Sequence, residues 1–129
     1  PASDADALEG MVLGAQGDWR GAVRFLGWSY YGGVYDAGMF VRALLALGDT
    51  AAARATVDSM LAAHTPGYYN PVALARAYTA LGDMDGGIEW LARALEERTA
   101  AVVWMRQYPE LAPLRADPRY AALDRQLRF

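Results

Sequence analysis

The chain has 129 residues, a net charge of −3 and no cysteine, and 54% of its residues are hydrophobic, many of them alanine. Its only isoleucine is Ile88, and this shortage of β-branched residues beside abundant alanine predicts an all-α fold. The acidic balance excludes the basic stripe of a typical nucleic-acid-binding protein, and the lack of cysteine excludes disulfides, a thiolate nucleophile and a cysteine-bound zinc ion.

The sequence shows neither a membrane span nor a secretory signal. Its longest apolar stretches are far short of the roughly 20 residues that cross a bilayer. The N-terminal Pro-Ala-Ser-Asp lacks the basic and apolar regions of a signal peptide. We therefore expect a soluble protein without membrane insertion, and we favour a cytoplasmic location. Because no initiator Met is present, we also expect the chain to be a fragment of a larger protein.

Apolar residues recur at helical spacing along most of the chain. Before Gly82, for example, Leu74, Tyr78 and Leu81 follow the helical period. Asn70-Pro71 and Asp117-Pro118 place a capping side chain directly before a proline, as many helices begin. The patterns predict helices near residues 4–15, 18–29, 36–47, 50–63, 71–81, 84–98, 101–107 and 118–127.

Three Gly-Asp pairs, at 17/18, 48/49 and 82/83, separate predicted helices, and a further step of 34 residues reaches Ala116-Asp117. Glycine just past a helix end tolerates the left-handed conformation that terminates the helix. The aspartate after it is suited to capping the next helix. Each pair therefore predicts a tight turn between two antiparallel helices.

One octet is written twice, as RALLALGD at 42–49 and RAYTALGD at 76–83. The 34-residue separation and the residues around it resemble the tetratricopeptide repeat, whose pattern is W-x2-L-G-x2-Y, then A-x3-F-x2-A, then P. The second and third repeats match more of this pattern than the first does. The matching residues are Leu74, Ala75, Tyr78, Leu91 and Ala94 in the third repeat, Phe40, Val41, Leu44, Ala53 and Val57 in the second, and Leu13, Gly17, Asp18, Ala22 and Leu26 in the first.

The resemblance implies a right-handed superhelix of about three helix pairs in a single domain over residues 1–129. The repeats would cover about residues 3–33, 34–67 and 68–101. Residues 102–129 resemble the segment that closes many bacterial arrays of this family. In this segment we expect Pro109 and Pro113 to end a helix, and a last helix to carry Tyr120, Leu123 and Leu127 on one face. That helix would cover the apolar face of the last repeat.

The sequence contains few residues in patterns suited to catalysis. The only histidine is His64, near the C-terminal end of a predicted helix. The helix dipole favours a cation at that position, so the presence of His64 there requires no catalytic role. The carboxylate pairs Asp83/Asp85 and Glu96/Glu97 fall at helix ends or on a solvated face. No motif for a nucleotide, a metal or a serine nucleophile is present. We therefore expect no enzyme activity, no cofactor and no metal, and a hydrolase or transferase using His64 is a remote alternative.

The leading arginines of the octet point to a binding groove. In the family that the chain resembles, first helices line a concave groove, and the resemblance places seven candidate residues there together with Gly38. Two guanidiniums over one groove are suited to a peptide carboxylate, although the alternative is that both are solvated surface residues. The lysine and asparagine set of the family's carboxylate clamps is missing. The candidates are Tyr35, Arg42, Leu45, Tyr69, Val72, Arg76 and Thr79.

The resemblance thus implies a non-catalytic scaffold that binds a protein or peptide, and an acidic peptide is the candidate partner. The alternative is a self-association module of a larger bacterial regulatory protein, which would form homo-oligomers. The aromatic stretch at 27–35, GWSYYGGVY, is a candidate contact surface for that role, because exposed aromatic rings are enriched at interfaces. Its burial within the first repeat is the simpler interpretation.

Overall fold

The computed structural model describes residues 4–31, 37–63, 71–98, 102 and 105–127, and within these ranges the chain is helical without strands. The prediction of an all-α fold is confirmed. None of the helices in the described ranges has the length and apolarity that crossing a membrane requires. The helices are α1 (Asp4–Ala15), α2 (Trp19–Tyr31), α3 (Ala37–Ala46), α4 (Thr50–Ala63), α5 (Pro71–Ala80), α6 (Met84–Glu96), α7 (Ala112–Arg115) and α8 (Pro118–Asp124), with a 3-10 helix at Pro109–Leu111.

The Gly-Asp turns have the predicted geometry. Gly17, Gly48 and Gly82 have φ angles of 82°, 82° and 84°, which is the left-handed conformation that glycine adopts without a steric penalty. At the third turn, the Asp83 amide donates to the Tyr78 carbonyl at 3.0 Å, as in a Schellman motif. The aspartates then cap the next helices by accepting bonds of 2.9–3.0 Å from Gly21, Ala52 and Gly86 amides.

The helices pack in consecutive pairs. The two helices of each pair lie against each other, as α1 with α2, α3 with α4 and α5 with α6. Contacts of α2 with α3 and of α3 with α5 join one pair to the next. A small N-terminal cluster surrounds Ala22, Leu26 and Ala43, and a larger one extends from Val41 to Leu123. Val23 and Phe40 pack against both clusters and so connect them.

The C-terminal segment differs from the expectation in one respect. Residues 105–107, the described end of the helix predicted at 101–107, form a turn. Pro109 begins the 3-10 helix and Pro113 lies in the first turn of α7. The prolines therefore start helices rather than end one, because a proline in the first helical turn loses no intrahelical hydrogen bond. Helix α8 begins as predicted, with Asp117 as its cap.

Candidate functional site

Arg76 is a buried arginine in α5. Its side chain is 7% exposed, and its Nε donates to Oε2 of Glu110 at 2.9 Å. Its guanidinium also lies 4.1 Å from the centre of the Tyr108 ring. A Cβ on Gly38 of α3 would come within 2.8 Å of the Arg76 Nε. The absence of a side chain at Gly38 thus makes room for Arg76.

Arg42 reaches the same carboxylate from α3. Its Nη1 lies 3.7 Å from Oε1 of Glu110, which is an ion-pair distance but too long for a hydrogen bond. Its guanidinium lies 4.9 Å from the centre of the Trp19 ring, at the start of α2, and its side chain is 40% exposed. The structure therefore brings Arg42 and Arg76 together around one glutamate. We call Arg42, Arg76 and Glu110 the arginine–glutamate cluster.

The Glu110 side chain is fully buried. Its Oε1 has no hydrogen-bond partner among the described residues, so Arg42 is the group that faces this oxygen. Two guanidiniums and one carboxylate give the cluster a net charge of about +1. Because removing a carboxylate from water is costly, the guanidiniums offset the burial of Glu110.

Residues 108–111 position the Glu110 side chain next to the two arginines. Tyr108 is extended, with φ −64° and ψ 121°, and Pro109 opens the 3-10 helix. Leu111 is fully buried in the larger core cluster. The Arg115 guanidinium donates to the carbonyl oxygens of Met105 at 3.2 Å and Tyr108 at 3.0 Å, which closes the turn before the 3-10 helix. We call Tyr108–Leu111 the YPEL segment.

The other groove candidates have different surroundings. Val72 and Thr79 of α5 are buried, and the Thr79 hydroxyl donates to the Ala75 carbonyl at 2.7 Å. Leu45 is half-buried and packs against the larger core cluster. Tyr35 and Tyr69 lie outside the described residues, as do His64 and the side chains of the aromatic stretch at 27–35.

Sequence reasoning missed Glu110 and Tyr108 as parts of this site. A periodic signal for Glu110 was available, because Arg42, Arg76 and Glu110 follow one another at intervals of 34 residues. The change from Arg to Glu at the third position hid the equivalence. Tyr108 had no comparable signal.

A surface pocket lies apart from the arginine–glutamate cluster, between α4, α5 and α6. It is an open pocket of about 500 Å³. Burial raises the pKa of its Tyr78 hydroxyl, and the nearby carboxylates of Asp58, Asp83 and Glu89 add to the effect. No cluster of three metal-ligating side chains occurs among the residues that the structure describes. The pocket is lined by Leu61, Tyr78, Asp83, Asp85, Gly86, Glu89, Trp90 and Arg93.

The geometry of the arginine–glutamate cluster suits recognition of a carboxylate, since a guanidinium offers a planar fork of donors. Comparisons of the chain with protein-family models, with curated proteins and with solved structures find no match.

Proposed function

We propose that the chain is a non-catalytic module that binds an acidic segment of a protein or peptide. In this proposal the helix pairs stack as a right-handed superhelix of the tetratricopeptide type, with α1, α3 and α5 on its concave side. The 34-residue period, the three equivalent Gly-Asp turns and the pairwise packing of the helices support that arrangement.

The observation that carries the proposal is the contrast between the two arginines. Arg76 is buried and hydrogen-bonded to Glu110, so its charge is already compensated. Arg42 is 40% exposed and makes no hydrogen bond within the described part of the chain. Its contacts there are the longer approach to Glu110 and the face of Trp19. Arg42 therefore keeps donors for a partner.

The surroundings of Arg42 indicate the chemistry of that partner. An arginine held over an indole is oriented by the ring while its N–H groups stay accessible. A hydrogen bond to a charged group contributes about 1.5–3 kcal/mol. The net positive charge of the cluster favours a carboxylate over a neutral acceptor. An Asp or Glu side chain, or a peptide C-terminus, meets these requirements.

The test compares Arg42→Ala with Arg93→Ala. Arg93 is the matched control, because it also lies over a tryptophan, at 4.5 Å from the Trp90 ring, and is similarly exposed. The probe is an array of immobilised peptides that differ in their number of Asp and Glu residues. We expect acidic peptides to retain the wild-type chain and Arg93→Ala, and to lose Arg42→Ala. Equal retention of both variants would contradict the assignment of Arg42.

Self-association is a second candidate, favoured by an exposed apolar face of α1. Leu8 and Val12 lie one helical turn apart and are 61% and 50% exposed. The residues at the place of Val12 in the next two repeats are Ala43 and Ala77, and both are fully buried. A second copy of the chain is a candidate to cover this surface. Sedimentation should show an oligomer that Leu8→Asp dissociates, whereas a monomer at high concentration would argue against this candidate.

A further inference from the structure

Glu110 has the surroundings of a bound ligand rather than of an ordinary surface acid. Its carboxylate is fully buried and contacts guanidiniums from two different helices, α3 and α5. One contact is a hydrogen bond of 2.9 Å and the other is an ion-pair approach of 3.7 Å. The chain thus places its own carboxylate beside Arg42, the arginine that the proposed function assigns to a partner.

The residues beside Glu110 extend this similarity to a ligand. Tyr108 places its ring 4.1 Å from the Arg76 guanidinium, which is the stacking that favours arginine binding. Leu111 inserts into the core. Pro109 fixes the backbone between them, as prolines do in preorganised peptide ligands. Within this segment Tyr108 and Glu110 therefore contact the arginines, and Leu111 anchors the segment in the core.

We propose that the YPEL segment is an internal ligand of the arginine pair, which weakens the binding of an external carboxylate at Arg42. This inference rests on the proposed function and names the regulation of the same site. Glu110 reduces the local charge from about +2 to about +1 and attracts Arg42 through its unpaired Oε1. An external carboxylate must share Arg42 with Glu110. Neutralising Glu110 removes this competition and leaves Arg42 for the partner.

Binding of the partner does not require the whole C-terminal segment to leave. Leu111 and Leu114 are fully buried and anchor that segment independently of Glu110. Arg42 contacts Glu110 without a hydrogen bond. Arg42 is therefore the guanidinium that can exchange Glu110 for an external carboxylate. The competition is therefore local to the Glu110 side chain and one exposed arginine.

The experiment measures binding of one peptide to the full chain and its variants by calorimetry at low ionic strength, where screening is weak. The probe is the acetylated, amidated octapeptide QYPELAPL, which copies residues 107–114. Its only charge is the glutamate carboxylate. The same peptide with Gln in place of Glu is the control ligand. Circular dichroism checks that each variant is folded.

The informative variant is Glu110→Gln, and Glu89→Gln is its matched control. Both remove one negative charge, but Glu89 pairs with the exposed Arg93 away from the cluster, at 3.2 Å. We expect Glu110→Gln to bind the probe about tenfold more tightly than the wild type does. We expect Glu89→Gln to leave the affinity unchanged, and the Gln peptide to bind neither variant.

A second variant covers the case in which Glu110→Gln does not fold because Arg76 loses the charge of the Glu110 carboxylate. The double variant Arg76→Met/Glu110→Met replaces the buried pair with apolar side chains of similar length and leaves Arg42 without its competitor. We expect it to bind the probe more tightly than the wild type does, through Arg42 alone. Adding Arg42→Ala to the double variant should remove the binding.

The outcomes separate this inference from the proposed function. If the wild type binds the probe through Arg42, but Glu110→Gln and the double variant bind it no more tightly, the internal ligand is disproved while the binding site stands. If none of the proteins binds the probe, both are disproved. Tighter binding by the folded Glu110 variants that depends on Arg42 supports the inference, even where the wild type shows no measurable binding.

Discussion

Glu110 lies 34 residues after Arg76 and accepts a hydrogen bond from its Nε at 2.9 Å. The same spacing joins Asp85 to Arg119, whose Nη1 donates to the Asp85 carboxylate at 2.8 Å. Residues at equivalent places in consecutive 34-residue periods thus meet in the structure. Both contacts join the C-terminal segment to the preceding helices, with the 3-10 helix against α5 and α8 against α6.

Breaking the buried pair should be costly. We expect Glu110→Ala to lower the free energy of unfolding by about 3–5 kcal/mol, because it removes the buried carboxylate that accepts a hydrogen bond from the buried Arg76. The double variant Arg76→Met/Glu110→Met should lose much less, because neither charge remains to be desolvated. Urea denaturation of both variants measures the difference. Asp85→Ala, which breaks an exposed pair of the same spacing, should have little effect.

The Gly-Asp turns make a separate prediction about backbone conformation. Gly48 has a φ of 82°, and a Cβ built on it contacts nothing within 4 Å. Gly48→Ala should therefore destabilise the protein by about 1 kcal/mol through conformation alone. Gly48→Asn should cost less, because asparagine tolerates the left-handed region better. A lower melting temperature for Gly48→Asn than for Gly48→Ala would contradict this explanation.

The helix pairs could be predicted because local signals specify them. Gly17, Gly48 and Gly82 end helices for a reason that depends only on backbone geometry, and the aspartates that follow cap helices through bonds within one turn. Predicted helix boundaries agree with the observed ones within two residues for α1 to α6. The C-terminal part was less predictable, because a proline can either end a helix or start one.

The partner of Arg76 could not be predicted from local signals. The repetition of Arg42 and Arg76 indicated a shared environment, and the structure places both around one carboxylate. The identity of that carboxylate depends on how the C-terminal segment folds back on α3 and α5. The role of Gly38 could not be predicted from local signals either. Gly38 makes room for the Arg76 side chain, and this depends on contact between α3 and α5.

Gly87 of α6 lies where α6 packs closely against α5. A Cβ on Gly87 would collide with the Thr79 hydroxyl of α5 and lie 3.2 Å from Cδ1 of Leu114. We expect Gly87→Ala to destabilise the protein by about 1–3 kcal/mol, although alanine is the better helix former. In a Thr79→Ala background the same change should be neutral or stabilising, because the hydroxyl that makes the closest contact is then absent. A double-mutant cycle from thermal unfolding measures this coupling.

The cap of α8 predicts a pH dependence. The Asp117 carboxylate accepts bonds from the Arg119 side chain and from the Arg119 amide, and these contacts lower the pKa of Asp117 to about 2. Its usual value is 3.8, so the folded state binds this proton more weakly than the unfolded state does. The resulting stabilisation is fully present above about pH 4 and is lost as the pH falls towards 2.

Asp117→Asn removes this titration while keeping a side chain that can cap the helix. We expect the wild type to be more stable than the variant at pH 6, and the difference to shrink as the pH falls from 4 to 2. Unfolding curves across this range measure it. The largest contribution to the lowered pKa of Asp117 is the hydrogen bond from the Arg119 side chain. The Asp117→Asn difference should therefore depend less on pH when measured in an Arg119→Ala background, and an unchanged dependence would assign the shift to the backbone bond instead.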